Sequence, residues 1–236
     1  ARSIRMYIVH GPAASPFVRK LCIFLGEKGL AFERRELDPL DKSPRFLAMN
    51  PIGRVPILEE PDGNLVSDSS VICDYLERIH PTPPLFPVEP RARARALWLE
   101  EYADTKLVEI CARVYWMQVL IPARSGQPVD ADAVKEYVDQ EFPTVLGYFE
   151  SCAPATDAIV DGQFGIADIA LASPIRLLSL AGDPLDASRW PRFDAYTRRV
   201  LARPAAVALH EAELHATEVF GRTGNAPTGT TATGTA

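Results

Sequence analysis

The spacing of apolar residues changes character twice along the chain. Residues 4 to 10, IRMYIVH, are rich in β-branched and aromatic side chains and read as a strand. From residue 16 to 29 the apolar positions Phe17, Leu21, Phe24 and Leu25 follow a helical spacing, ahead of a Lys28–Gly29 stop. AFERREL then reads as a second strand, and DPLDKSPRFLAMNP as a polar connection with room for a short helix. RVPILEE and NLVS read as two short strands joined by the turn PDG, before a closing helix DSSVICDYLERI. The order β-α-β-(α)-β-β-α predicts one parallel pair joined by a right-handed crossover and one hairpin, in a small mixed sheet covered by helices.

The pattern breaks at residues 80–90, HPTPPLFPVEP, where five prolines in eleven residues can continue neither a helix nor a central strand. Beyond it no strand signal rivals the helical ones. LWLEEYADTKLVEICARVYWMQVLI places Leu99, Ala103, Leu107, Ile110, Val114, Met117 and Ile121 on one stripe, the signature of a buried helix face. Further helices are expected over 131–152, 165–181 and 191–203, with Pro174 bending the one over 165–181. QFGIADIAL reads as a helix start, with Gly165 at the cap, Asp168 at the third position and Phe164 and Ile169 placed for a hydrophobic staple. The last stretch, GRTGNAPTGTTATGTA, has no apolar period that could offset its ordering entropy and is expected to be a disordered tail.

Composition narrows the function classes. The 236 residues, 47% hydrophobic, can bury a sizeable core and suit two small domains better than one. Acidic residues outnumber basic ones 31 to 25, for a formal charge of −6, so no electrostatic footprint for nucleic acid or an anionic membrane is visible. The cluster Arg91, Arg93 and Arg95 reads as a solvated helix face. Four cysteines lie 38 to 51 residues apart without a CxxC pair, which indicates neither a zinc site nor a disulfide framework but four free thiols. No signal-peptide core and no run of about 18 apolar residues is present, so a soluble cytoplasmic protein is expected.

Three motifs in the first half admit both a plain and a chemical reading. Ser15 followed by Pro16 is what a helix start prefers on its own account; alternatively the helix N-terminus holds an anion such as a thiolate, to which Ser15 donates its hydroxyl hydrogen. Val55–Pro56 is either a trans bond opening an edge strand or a cis bond that exposes the valine backbone to a peptide-like ligand. Asp68 and Ser69 open the next helix, as a cap or as a site for a carboxylate and an ammonium group. In a strand–helix sheet of this order the three can converge at one sheet edge, which would make them one site.

The sequence SPFVRK, then NPIGRVPIL, then SDSSVICDYL, a proline linker, and a helical half with GIADIAL and WPRFDAYTRRVLARPA resembles the cytosolic glutathione transferases, in particular serine-type members of the plant tau and bacterial branches. The resemblance implies an α/β, thioredoxin-like glutathione-binding domain over 1–80, a linker over 81–90, an all-α helical-bundle domain for the second substrate over 91–221, and a tail over 222–236. It implies that Ser15 activates the glutathione thiol and that Val55, before a cis Pro56, pairs with the cysteinyl part of glutathione. Asp68 and Ser69 would hold the γ-glutamyl end, and Lys42 the glycyl end. Tyr7 is the rival activator, because other branches use a tyrosine of the first strand. Asp68 stands where the family commonly has glutamate, and Gly165 where it has a serine or threonine cap, which would leave one helix N–H without a side-chain acceptor. Position 15 is not cysteine, which argues against thioltransferase chemistry.

For the second substrate, a small hydrophobic electrophile, Val108, Ala112 and Tyr115 on the long helix and Phe17 beside Ser15 would form an apolar wall; the plain reading is ordinary core packing. Glutathione is expected as co-substrate, with no prosthetic group and no metal. A homodimer is expected, without nucleic-acid or membrane partners. The main alternative is a non-catalytic glutathione- or ligand-binding protein on the same fold. The electrophile, and the choice between conjugation, dehalogenation, isomerisation and peroxide reduction, stay open, since all four use the same thiolate.

Overall fold

The computed structural model describes residues 6–38, 40, 43–182 and 184–223, with side chains as far as residue 217. The first half runs β1 (Tyr7–His10), α1 (Pro16–Glu27), β2 (Phe32–Arg35), α2 (Pro44–Met49), β3 (Ile57–Glu59), β4 (Leu65–Ser67) and α3 (Ser69–Ile79). Its four strands lie in the order β2-β1-β3-β4, with β1 and β2 parallel and β3 antiparallel to both β1 and β4. This is the mixed sheet that the hydrophobic pattern predicts, and a thioredoxin-like arrangement. Residues 80–89 carry no regular element.

The second half is helical: α4 (Pro90–Tyr102), α5 (Val108–Tyr115), α6 (Ile121–Ser125), α7 (Ala131–Cys152), α8 (Ile166–Leu180), α9 (Pro191–Leu201), α10 (Pro204–Val207) and α11 (His210–Thr223). The tail expected from residue 222 lies, from residue 224 on, outside the described residues. α4, α5 and α6 are parts of one long rod, interrupted by π-helical turns at Ala103–Leu107 and Trp116–Leu120. These turns correct the expected stripe. Leu99, Ala103, Leu107, Ile110 and Val114 are buried as the 3.6 period requires, but Met117 is only half-buried and Ile121 is 43% exposed. A π turn inserts an extra residue, so beyond the second one the apolar face rotates away from the core. Gly126, with φ of 68°, ends the rod.

α1 is the structural axis. Val18 through Leu25 are all buried, Arg19 and Lys20 included, because the sheet and α3 cover one side while α8 and α10 cover the other. α8 likewise buries every residue but Arg176 and Ser179, and continues through Pro174. A helix enclosed on every side gains from burial around its whole circumference, so its sequence loses the amphipathic alternation of a surface helix.

The halves are tied by buried polar contacts. Lys28 Nζ donates to the carbonyls of His80 (2.8 Å) and Pro83 (2.6 Å) and pairs with Glu77, whose carboxylate accepts from the Leu85 N–H (3.2 Å). Thr82–Pro83 is cis. Arg93 is not part of a solvated face: it pairs with Asp74 at 2.6 Å and lies over the Phe86 ring at 4.7 Å, whereas Arg91 and Arg95 are exposed.

The α8 cap has Gly165 at the cap and Asp168 at the third position, as the sequence predicts. Asp168 Oδ2 accepts from the Gly165 N–H at 2.9 Å, and Oδ1 accepts from the Ile159 N–H (2.8 Å) and the Tyr196 hydroxyl (2.6 Å). Gly165 offers no side-chain acceptor; the Asp168 N–H donates to the Gly165 carbonyl at 3.1 Å, and the first helical N–H, that of Ile166, donates to the Leu85 carbonyl at 2.8 Å. Gly165 itself is extended; what it needs is space, since a Cβ there would lie 2.3 Å from the Leu85 oxygen. Phe164, placed for the staple, carries the Arg203 guanidinium at 3.7 Å from its ring centre.

Candidate functional site

Strand register assembles the site. His10 lies opposite Ile57, and Ile57 opposite Ser67, so the chain leaves β1, enters β3 and leaves β4 at the same end of the sheet. The segments attached to those points are 11–15, Val55–Pro56 and Asp68–Ser69. Gly11 marks where they touch: with φ of +149°, a Cβ there would lie 2.5 Å from Val18 Cγ2 and 3.1 Å from Val55 Cβ. Only a residue without a side chain lets the strand end pass between the first turn of α1 and the valine.

Ser15 caps α1. Its backbone is extended, Pro16 occupies the first helical position, and its Oγ accepts from the Val18 N–H at 3.4 Å. No described residue takes up the hydroxyl hydrogen, so it is free to point away from the helix toward an incoming group. Ser15 and Phe17 are half-buried. The cap leaves the positive end of a 12-residue helix facing the convergence point.

Val55–Pro56 is cis, and no hydrogen bond from the described residues takes up the valine N–H or C=O. Asp68 sits at φ of 78°, and its Oδ1 accepts from the N–H groups of Ser70 (3.0 Å) and Val71 (3.1 Å). The cap therefore uses one carboxylate oxygen and leaves the other exposed. Ser69 beside it is buried. Lys42 lies outside the described residues.

Tyr7 is at the wrong end of β1. It pairs with Phe32 at the opposite edge of the register, three residues or about 10 Å of strand from His10. Its hydroxyl is bonded to His80 Nε2 at 2.9 Å, and burial and the nearby Glu60 raise its pKa, the reverse of what a thiol-activating phenol needs.

Of the expected apolar wall, Val108 and Ala112 are half-buried on α5, and Tyr115 is 4% exposed with its hydroxyl 3.5 Å from Thr217 Oγ1 on α11. α11 thus covers the end of this stripe, a helix the sequence pattern did not single out.

Two buried ion clusters were also missed. Lys20 Nζ donates to Ser70 Oγ (3.0 Å) and Glu100 (2.9 Å) and pairs with Asp104; burial opposes its charge, yet the two carboxylates outweigh burial and hold its pKa above the usual lysine range. This cluster anchors the start of α3, directly after Asp68 and Ser69, to the long rod. Arg19 donates through Nε to Glu213 of α11 and through Nη1 to the Ser173 carbonyl, both at 2.5 Å, and Arg176 reaches the other Glu213 oxygen at 2.8 Å. The signal was present: two adjacent cations inside the apolar run VRKLCIFL can be buried only if each meets a carboxylate. Arg54, next to Val55, was passed over as well; it is exposed and has no ion pair among the described residues.

Known proteins share this frame. The glutathione S-transferase N-terminal domain family matches residues 9–84. Glutathione S-transferase U22 of Arabidopsis thaliana is 29% identical, over 84% of this chain and 88% of that protein. The crystal structure of a glutathione S-transferase from Rhodospirillum rubrum F11 superimposes with a TM-score of 0.77 at 28% identity, covering 86% of this chain and 91% of that one. The chain is similar to glutathione S-transferases over most of its length. Its solved relatives include a glutathione S-transferase from Methylobacterium radiotolerans in complex with glutathione sulfonate, 26% identical with a TM-score of 0.69, covering 86% of this chain and 93% of that one. The likeness to these relatives and solved structures takes in both halves of the fold, since they cover 84–86% of this chain. Among the described residues, no group of His, Cys, Asp and Glu is arranged to hold a metal ion, and no helix is long and apolar enough to cross a membrane.

Proposed function

We propose that this protein is a glutathione transferase in which the Ser15 hydroxyl donates a hydrogen bond to the glutathione thiolate at the N-terminus of α1. The observation that carries the reading is the shared sheet end: the register from His10 to Ile57 to Ser67 gives Ser15, Val55 and Asp68 a common neighbourhood. The free N–H and C=O of Val55 suit an antiparallel pairing with the cysteinyl residue. The uncommitted Asp68 oxygen and Ser69 suit the γ-glutamyl ammonium and carboxylate, and Arg54, with Lys42, the glycyl carboxylate. The relative bound to glutathione sulfonate supports the choice of ligand.

A free thiol has a pKa of about 8.5, and a helix N-terminus with a hydroxyl donor lowers it to roughly 6 to 7. The thiolate then attacks the electrophilic carbon, the carbon–sulfur bond forms as the bond to the leaving group breaks, and that group departs with the electron pair. Ser15 acts as a donor and not as a nucleophile, because no base is paired with it. Phe17, Val108, Ala112 and Tyr115 form the apolar side of the electrophile pocket. The protein acts as a cytoplasmic homodimer, with glutathione as co-substrate and no prosthetic group.

The test is a pH titration of thiolate absorbance for glutathione bound to wild type and to Ser15→Ala. A bound-thiol pKa below that of free glutathione, rising by about one unit or more in the variant, supports the reading. Binding without a shift favours the alternative of a non-catalytic glutathione carrier, and no binding removes both.

A further inference from the structure

A glycine has no side chain to bias its backbone, so where the chain needs one direction at a glycine, another group has to impose it. Gly11 is such a position. It lies between the end of β1 and the segment that carries Ser15, its φ of 149° is closed to other residues, and only its missing side chain lets it pass between Val18 and Val55. Both of its polar backbone groups are held by the end of β2. The Gly11 N–H donates to the Arg35 carbonyl at 2.9 Å, and the Gly11 carbonyl accepts from Arg34 Nη1 at 2.9 Å. Beyond Gly11 the chain is loosely held. Pro12 has no N–H to donate, and no described residue accepts from the N–H of Ala13 or Ala14. The backbone bond that leads into the helix runs from the Ser15 N–H to the Pro12 carbonyl, at 3.1 Å.

Arg34 reaches Gly11 from the face of the sheet that α1 covers. Val9 and Arg34 are partners in the parallel register and project to the same side, where Val9 is fully buried. The partly buried Arg34 side chain borders the same small cavity as Ala13, Val18 and Cys22, so it runs beneath the segment that leads to Ser15. Its other polar contact is an ion pair with the exposed Glu36. A hydrogen bond from a guanidinium is stronger than a neutral one, and here it acts on a carbonyl whose own residue has no preferred direction.

We infer that Arg34 is a positioning residue, whose guanidinium fixes the Gly11–Pro12 peptide and through it the approach of Ser15 to a thiol bound beside Val55. The effect on the thiol rests on the glutathione transferase reading; the hold on Gly11 does not. Without the Arg34 donor the Gly11 carbonyl is free to turn, residues 11–14 sample other backbone states, and the Ser15 hydroxyl spends less time within donor distance of sulfur. A hydrogen bond of about 3 Å weakens steeply when it lengthens or bends, so a small displacement is enough. The loss falls on the thiolate and on kcat, while the proposed contacts of Asp68, Ser69 and Arg54 with the two ends of glutathione stay in place and hold KM.

The experiment compares the wild-type protein with Arg34→Met, which keeps an unbranched apolar stem and removes the donors, Arg34→Lys, which keeps the charge and a donor, and Glu36→Gln, which leaves the bond to Gly11 intact. Arg34→Gln takes the place of Arg34→Met if the latter does not fold. Hydrogen exchange without glutathione should be about tenfold faster at the Gly11 and Ser15 amides of Arg34→Met and unchanged over Leu21–Leu25. With glutathione bound, the thiol pKa of Arg34→Met should rise by about 0.5 unit and kcat at pH 6.5 fall about threefold, with KM for glutathione within about twofold of wild type. Arg34→Lys should recover at least half of the rise, and Glu36→Gln should show none. Removing a nearby positive charge would also raise the thiol pKa, so the titrations are repeated at about 0.5 M salt, which screens a through-space effect and leaves a positional one. A folded Arg34→Met with wild-type exchange at Gly11 and Ser15 overturns the inference whether or not the protein binds glutathione. So does faster exchange with an unchanged thiol pKa, or a pKa rise that vanishes in salt. Failure of the wild type to bind glutathione removes the transferase reading and the effect on the thiol with it, while exchange still decides the hold on Gly11.

Discussion

Gly165→Ala offers a sharp test of how the two halves are joined, because its φ near −171° is open to any residue and only the contact with Leu85 forbids a side chain. An added Cβ would lie 2.3 Å from the Leu85 oxygen and 3.1 Å from its carbonyl carbon, roughly 1 Å inside ordinary contact. Leu85 cannot easily withdraw: it is 3% exposed, and its N–H is held by Glu77, which is in turn paired with Lys28. Overpacking of this kind costs about 1–3 kcal/mol. Separating the strands of chain also breaks the Ile166 N–H to Leu85 hydrogen bond, worth about 1 kcal/mol. The expected loss is about 2–4 kcal/mol, or a fall in Tm of about 5–15 °C for a chain of this size. Gly147→Ala is the matched control. Gly147 lies within α7, and a Cβ there meets nothing within 4 Å, so the exchange should add about 0.5–1 kcal/mol through helix propensity. Urea unfolding of the three proteins decides the matter. A Gly165→Ala protein within about 0.5 kcal/mol of wild type would refute the claim that the Leu85 backbone lies too close to Gly165 to admit a side chain.

Other outcomes follow from single residues. Asp68→Asn keeps the Oδ1 acceptor for Ser70 and Val71 and tolerates a positive φ, so its stability should stay within about 0.5 kcal/mol while KM for glutathione rises roughly fivefold; Asp68→Ala should also lose about 1–2 kcal/mol of stability in urea unfolding. Burial raises the Asp168 carboxyl to about 6 against the hydrogen bonds from Tyr196, Gly165 and Ile159. The folded protein therefore binds a proton there that the unfolded chain has released, and this contribution to stability is full below about pH 4 and lost as the pH rises through 6. It amounts to about 3 kcal/mol, so the change in unfolding free energy from pH 4 to pH 6.5 should be more positive by about that amount in Asp168→Asn than in wild type. Cys22, Cys73 and Cys111 are buried and free, and burial raises their thiols, that of Cys22 to about 12. An aromatic disulfide reagent should titrate one thiol rapidly in the native protein, that of the half-buried Cys152, and four in denaturant; fast reaction of a second would show that α1 or the rod opens.

What the linear sequence determined was local. The strand, helix and proline signals of the first 90 residues specify the elements, one parallel pair and one hairpin, because period, caps and turn residues act over a few positions; the order β2-β1-β3-β4, with β1 beside β3, came from the tertiary structure. Ser15–Pro16 announces its helix, Asp68 announces α3, and Asp168 announces α8, each through a bond to a neighbour two or three residues away. Tertiary structure decided whatever depends on residues distant in the chain. It set the cis bond before Pro56 and the convergence of three strand ends. It set Leu85 as the acceptor for the first N–H of α8, and the two π turns that turn Ile121 out of the core. Arg19 and Lys20 show the division most plainly. The sequence states only that two cations sit in an apolar helix, whereas their partners, Glu213 and Ser173 for one and Glu100 and Asp104 for the other, stand 80 to 194 residues away. Charge pairing in a low-dielectric interior is strong enough to dictate where those helices dock, but it leaves no periodic trace in the chain that carries it.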